Sequence, residues 1–424
     1  MGLQGCGLLL SVGSTYLLTQ LMEPSDFADF SVAITIASLL SMFSLMGLEQ
    51  VGVRFIVELE LEAKKDDLAA FEWWLQWAAF RNAFIAAVVA GIIGSLIDVD
   101  WMIRSGLAYQ LAAIPFMNLA FACRGRQIGR ARPIAGQMPE QIVRPVVIMM
   151  IVLAIYELLG GDVDPIGAGI AVLIASIIMA IWQLIACRSL RVRRDKNLDT
   201  GKWYRIGLPL MVGQGSFQLM NRADLLLVAI FIGGDSVAAY AVAIRLGSIV
   251  RMPGLAVQQV YSRDLVLRGD ESRGPLVSRS ARRASLVGGL ASLLVFIVMV
   301  LLLPSALEFV GEAYKPGFTP AVILGSAFVL SAFLGPVGHI LGLNGGQKLL
   351  AIFVLVAAVL NFVAGVVLIP WLGLAGAALA TLLGLTAWKT GLILAIHRRM
   401  GFLVPFTLLD EKPTSEDGAA AVRT

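Results

Sequence analysis

Asn221, Arg222 and Asp224 lie near the middle of residues 207–250 (GLPLMVGQGSFQLMNRADLLLVAIFIGGDSVAAYAVAIRLGSIV), apolar sequence long enough to cross a bilayer. Gln214 and Gln218 precede them and Arg245 follows. A charge at the centre of a spanning helix costs about 2.5–3.5 kcal/mol on insertion scales, so it is kept where it meets a partner, water or a ligand. On one regular helix turning about 100° per residue, with Gln214 at zero, Asn221 falls near about −20°, Gln218 about +40°, Arg222 about +80° and Asp224 about −80°. A helix polar over about 160° of its circumference cannot face lipid and should face a cleft or another helix bundle. Guanidinium forks suit phosphate, and amides suit hydroxyls. Asp224 has two readings, a coupling group in the cavity or an internal ion pair with Arg222.

Other polar residues are weighed the same way. Arg251 follows Arg245 by two turns, just before Pro253 and Gly254, which should bend or break the helix. With Glu49, Gln50 and Arg54 at the end of an earlier apolar segment, it marks a possible cytoplasmic gate, against the alternative of a solvated helix end. Glu140 and Arg144 form an i, i+4 pair read as structural. Lys389 should snorkel, and His339 and His397 read as isolated packing or surface residues. Cys6, Cys123 and Cys187 are scattered and lack metal-site spacing, so neither a disulfide nor a metal is expected.

The elements that must hold these residues are membrane spans. At 424 residues, 58% hydrophobic, 15% charged and mean hydropathy +0.83, the chain has too little polar surface to cover soluble domains. Twelve apolar segments can be counted, the seventh running over roughly 206–232. The first, from Gln4, has no basic lead-in and no cleavage site, and reads as a retained span. Of the 33 Lys and Arg, 26 fall in the even-numbered connections and the tail, 2 in the odd-numbered ones and 5 within spans. The positive-inside rule then puts both termini in the cytoplasm. The opposite connections (EPSD, GGDVDP, GGDS) are tight turns, too short for a catalytic module. Residues 58–77 read as an interfacial helix. The tail 401–424 reads as disordered.

The chain also repeats itself. FSVAITIASLLSM from Phe30 aligns with YAVAIRLGSIVRM from Tyr240 at an offset of 210, and GAGIAV from Gly167 with GAALAT from Gly376 at 209. Six spans per repeat leave both halves in the same orientation, a parallel repeat enclosing a central cleft. The expected architecture is an all-α polytopic membrane protein of twelve transmembrane helices in two six-helix lobes. Its parts are a first lobe over 1–187, a cytoplasmic linker over 188–204, a second lobe over 205–400 and the tail. The repeat partners of Arg245 and Arg251 are Thr35 and Ser41, so the second lobe carries cation where the first is neutral.

LLTQLMEPSDFADFSVAITIASLLSMFSLMGLEQVGVRF, NRADLLLVAIFIGGDSVAAYAVAIRLGSIV and IPWLGLAGAALATLL together resemble the polysaccharide flippase (Wzx-type) family of the multidrug/oligosaccharidyl-lipid/polysaccharide (MOP) exporter superfamily. The resemblance covers nearly the whole chain, apart from a shortened Met1 end. It implies a two-lobed, MATE-like bundle of the bacterial inner membrane that works by alternating access. The implied cargo is an undecaprenyl-pyrophosphate-linked oligosaccharide for surface polysaccharide, whose pyrophosphate would meet Arg222 and Arg245. Gln214, Gln218 and Asn221 would meet sugar hydroxyls. The implied partners are this polyprenyl-pyrophosphate-linked glycan, membrane lipid, and possible contacts with a polymerase and glycosyltransferases; no nucleic acid, cofactor or enzymatic step is expected, and the chain is expected to be a monomer. An ion-coupled multidrug or cation exporter of the same superfamily is the alternative. A membrane glycosyltransferase or ligase is disfavoured by the short external turns.

Overall fold

The computed structural model describes residues 2–62, 65–159, 161–187, 200–261, 265 and 274–400. The expected linker up to residue 199 and the tail after residue 400 lie outside the described residues. The first half contains α1 (Gly2–Leu21), α2 (Pro24–Leu45), α3 (Leu48–Leu61), α4 (Lys65–Arg104), α5 (Leu107–Gly129), α6 (Pro133–Met138), a π-helical turn (Pro139–Val143), α7 (Arg144–Leu159) and α8 (Pro165–Cys187). The second contains α9 (Thr200–Met220), α10 (Ala223–Phe231), α11 (Asp235–Tyr261), α12 (Gly274–Val310), a 3₁₀ turn (Glu312–Gly317), α13 (Phe318–Phe333), α14 (Val337–Leu343), α15 (Gln347–Leu372) and α16 (Leu374–Met400). No strand occurs among the described residues.

These helices make twelve spans, four of them interrupted: α2–α3, α6–α7, α9–α10 and α13–α14. Nine helices among the described residues are each long and apolar enough to cross a membrane. The remaining three spans are α1, α5 and α9–α10. α1 is apolar but short, and all three contribute side chains to the cavities described below.

The duplication is visible in where helices start. Pro24 and Asp235, Lys65 and Gly274, Leu107 and Phe318, and Pro165 and Leu374 open corresponding helices 211, 209, 211 and 209 residues apart. Within the first half α5 is central, touching α2, α3, α4 and α8; within the second, α11 packs on α12 and α13, and α16 on α13 and α15. The halves meet where α1 and α2 touch α11, α2 touches α9 and α10, and α3 touches α9.

The two ends of this seam differ. At the end bearing the tight turns, one hydrophobic cluster runs from Leu18, Met22, Phe27 and Phe30 into Val237, Tyr240 and Tyr314. Tyr16 stacks on Phe309 at 5.5 Å, and Gln20 Nε2 donates to the Val310 carbonyl at 3.2 Å. At the opposite end, where the Lys/Arg-rich connections lie, the apolar core divides. One cluster is built on Leu48, Phe55, Phe71 and Leu75, and another on Val337, Ile340, Leu392 and Ile396. The halves therefore converge at the turn end and part at the basic end, leaving cavity between them.

On one flank of the basic end they still touch. α2 stops at Met46 and Gly47, both left-handed (φ 52° and 70°), because the backbone there passes directly over α9. A Cβ on Gly47 would lie 2.3 Å from the Gly207 carbonyl oxygen, and one on Gly207 2.6 Å from that of Met46. Trp203 then inserts between Phe71 and Trp74, with ring centroids 4.7 and 4.5 Å away.

Two sequence expectations change. Residues 58–77 do not form an interfacial helix: they are divided between the end of α3 and the start of α4. Within that stretch Glu72 is turned inward and 1% exposed, with Arg126 at 2.6 Å and Arg130 at 2.7 Å. Lys389 does not snorkel. It is buried and donates to the Gly335 carbonyl at 2.7 Å, satisfying backbone freed by the break between α13 and α14.

Glu72→Ala leaves the 1% exposed Arg126 without its buried counter-charge. We expect about 3–5 kcal/mol of destabilisation, since removing one member of a buried ion pair strands the other. Thermal unfolding of the detergent-solubilised protein checks this, and an unchanged melting temperature would contradict it.

Candidate functional site

The seventh span, expected as one helix, is broken at the residues that carry its charge. Asn221 turns its side chain back, Nδ2 donating to the Phe217 carbonyl at 2.6 Å, in competition with the main-chain ladder. Arg222 N–H bonds Leu219 O at 3.1 Å, a tightened turn, and Arg222 itself leaves helical geometry at φ −135°. The helix restarts at Ala223. The angular placement of Arg222 and Asp224 on a continuous wheel therefore fails, although both still border the central cavity described below.

Asp224 occupies the first turn of α10, where the free N–H groups favour a carboxylate. It is 3% exposed and accepts from Tyr240 Oη at 2.9 Å, Thr381 Oγ1 at 3.1 Å and the Leu225 N–H at 2.8 Å. Asn361 Nδ2 in turn donates to Thr381 Oγ1 at 3.2 Å. Of the two readings of Asp224, the ion pair with Arg222 is not formed. Its partners are hydroxyls that knit α10, α11, α15 and α16 together.

Two adjoining cavities lie between the halves. The central one, about 440 Å³, is bordered by Asn221, Arg222, Asp224, Arg245 and Arg251. The other, about 720 Å³, occupies the basic end and is bordered by Glu49, Gln50, Gln214, His339 and Trp388. Ser38, Glu140, Arg144, Phe217, Gln218 and Arg222 border both and so form the waist between them.

The central cavity has two unlike walls. From α1 and α2 come the hydroxyls of Ser11, Ser14, Thr15, Ser31, Thr35 and Ser38. From α10 and α11 come Arg222, Arg245 and Arg251, joined by Arg144 from α7. Arg245 Nη1 donates to Ser11 Oγ across the seam at 3.3 Å. The Arg251 guanidinium sits 5.6 Å from the Phe328 ring centre, and Arg144 Nη2 is 3.7 Å from Met117 Sδ. Among the described residues, none of these four guanidiniums forms an ion pair.

The nearby carboxylates are engaged elsewhere. Arg124 holds Glu49 through two 2.6 Å contacts and also holds Glu140. The pair expected between Glu140 and Arg144 is thus replaced by one between Glu140 and Arg124, freeing Arg144. The π-helical turn, Pro139–Val143, adds a residue to the helix just before Arg144 and changes the phase at which it leaves the axis.

The structure separates the residues grouped as a gate. Glu49 and Gln50 border the basic-end cavity, but Arg54 is exposed, lies over the Phe55 ring at 5.8 Å and borders neither cavity. Arg251 is in the central cavity and not at the basic end. His339, read as a packing residue, borders the basic-end cavity. Sequence reasoning missed Arg144, Arg124 and the hydroxyl wall. Arg144 had a signal, being one of five basic residues within spans and flanked by Pro139 and Pro145.

No protein-family model matches the chain, and no curated protein matches it in sequence. Solved structures share its fold. An inward-facing conformation of a multidrug resistance MATE family transporter of the MOP superfamily matches with TM-score 0.74 and 15% identity, over 93% of this chain and 94% of that one. An outward-facing conformation of a transporter of that description gives 0.65 and 16%, over 93% of each. The lipid II flippase MurJ, in an inward closed conformation, gives 0.73 and 13%, over 92% of this chain and 85% of that one. At these identities the likeness is one of fold.

Asp224→Ala strands the buried Tyr240 hydroxyl and is expected to lower the melting temperature of the detergent-solubilised protein, whereas Asp224→Asn keeps an acceptor for Tyr240 and should stay close to wild type. An unchanged melting temperature in Asp224→Ala would show that the carboxylate does not hold the helices around it together.

Proposed function

We propose that the chain is a flippase of the MOP superfamily that moves a polyprenyl-pyrophosphate-linked oligosaccharide across the bacterial inner membrane, in the Wzx manner, for surface polysaccharide. The observation that carries this reading is the set of four cavity guanidiniums without a carboxylate partner among the described residues: Arg144, Arg222, Arg245 and Arg251. Charge that is neither paired inside the protein nor exposed at its surface is an anion site awaiting its anion.

The physical task is to carry a polar, doubly negative head through about 30 Å of hydrocarbon while its lipid tail stays in the membrane. Guanidinium is weakly hydrated and always charged, so it can exchange water for phosphate oxygens at modest cost. Arg222 and Arg245 take the pyrophosphate. Gln214, Gln218 and Asn221 meet sugar hydroxyls, and the α1–α2 hydroxyl wall faces the remaining oxygens. Both termini and the basic end face the cytoplasm, so the cavity opens toward the side on which lipid-linked sugars are built. The cycle needs no covalent step and no cofactor; the chain acts as a monomer beside the polymerase and glycosyltransferases that use the same lipid.

A cation or drug exporter on the same fold is the competing reading, supported by the fold likeness to MATE transporters. The cavity charge opposes it. Such a cargo would enter beside four guanidiniums, while Asp224 is already saturated by three donors.

Arg222→Ala and Arg245→Ala are each expected to reduce surface polysaccharide roughly tenfold to a hundredfold, the loss of one charge-assisted contact of about 1.5–3 kcal/mol. Membrane-inserted protein should stay at wild-type levels, and Arg222→Lys should be intermediate because it keeps charge without the planar fork. Normal polysaccharide on cells carrying either alanine variant would end this reading.

A further inference from the structure

Two residues that the anion site does not use, Gln50 and Trp388, border the basic-end cavity. Trp388 of α16 borders it, tilted 59° against Phe217 at 5.6 Å and resting on Gly338, where a methyl group would lie 3.4 Å from the indole. A buried indole N–H ordinarily finds an acceptor. Among the described residues Trp388 Nε1 has none, and the buried Oε1 of Gln50, a residue that borders the same cavity from the other half, has no donor.

An unmatched donor and an unmatched acceptor from opposite halves, beside an aromatic ring, fit a neutral ring bearing hydroxyls. Each hydroxyl can both give and accept a hydrogen bond. The axial C–H bonds of a pyranose can lie on the indole face. A bare anion would satisfy only the donor, and an aromatic cation would satisfy neither while entering a basic cavity. Phe217 supplies the link to the anion site, because it touches Trp388 and also forms part of the waist. A ligand whose phosphates lie among the arginines and whose glycan passes the waist brings its first sugar to this indole.

Resting on the flippase reading, we infer that Trp388 is a sugar-binding platform, stacking on the pyranose attached to the pyrophosphate, with Gln50 as the acceptor opposite. The full-length protein in nanodiscs is titrated with undecaprenyl pyrophosphate and with the same lipid carrying one N-acetylglucosamine. Wild type should bind the glycosylated lipid at least about tenfold tighter, equivalent to about 1.4 kcal/mol. Trp388→Ala should bring the ratio between the two lipids to about one, and Trp388→Phe should keep part of it. Arg222→Ala should weaken both lipids and preserve the ratio.

A wild-type ratio of one, or a ratio unaltered by Trp388→Ala, overturns the platform while leaving the anion site standing. Failure of the wild type to bind either lipid brings down the flippase reading and the platform together. Melting temperature is followed throughout. If Trp388→Ala does not fold, Gln50→Ala decides: loss of sugar preference supports the platform, and full retention overturns it.

Discussion

Four guanidiniums held between two helical bundles, with no carboxylate partner among the described residues, are the constraint on which the rest of the structure turns. In a dry, low-dielectric interior each would cost several kcal/mol, so the space around them has to remain wet or hold an anion. That requirement fits two of the four interrupted spans. The break between α9 and α10 delivers Arg222 to the waist, and the π-helical turn does the same for Arg144. It also accounts for the place of the acids. Glu49 and Glu140 converge on Arg124, and Asp224 is held by Tyr240, Thr381 and backbone, so none of these three carboxylates pairs with the cavity arginines.

The duplication supplies the frame, and divergence of the copies supplies the chemistry. Thr35 and Arg245 occupy equivalent positions and border the same cavity. Thr35 spends its hydroxyl proton on the Ser31 carbonyl at 2.7 Å, leaving lone pairs toward the cavity, whereas Arg245 reaches across to Ser11. An acceptor-rich wall thus faces a donor-rich one. Such a pair of walls can hold a ligand that carries both phosphate and hydroxyls, and water can fill the space when the ligand is absent.

Much of the architecture was legible in the residues because bilayer physics writes in long strokes. Apolar runs, the bias of Lys and Arg to alternate connections and an offset near 210 each integrate many positions, and the helix starts reproduce that offset. The site was legible only in part. Arg222 and Arg245 stood out because each interrupts a span, but Arg124 looked like loop charge, since its glutamates are 75 and 16 residues away. Glu72 looked like a headgroup residue for the same reason, its partner Arg126 being on another helix. A helical wheel could not foresee the break at Asn221, which depends on a side chain competing for its own backbone. Nor could composition single out Trp388, because an aromatic residue on an apolar helix reads as core until the empty space beside it is seen.

The same charge that selects a ligand bears on motion. At the turn end the halves are joined by side-chain contacts such as Tyr16 on Phe309 and Gln20 on the Val310 carbonyl. At the basic end they touch backbone to backbone through Gly47 and Gly207, and Trp203 is embedded between Phe71 and Trp74 beside that contact. Closing the cavity over bare guanidiniums would strip their water without return. With a doubly negative head between them, the same closure desolvates a compensated cluster. A ligand shifts such an equilibrium only by the difference in its affinity for the two states, and here that difference comes from the cost of dehydrating unpaired cations. On the flippase reading proposed above, these arginines do more than bind: they make closure without an anion the unfavourable branch, which would couple rocking of the halves to the presence of cargo.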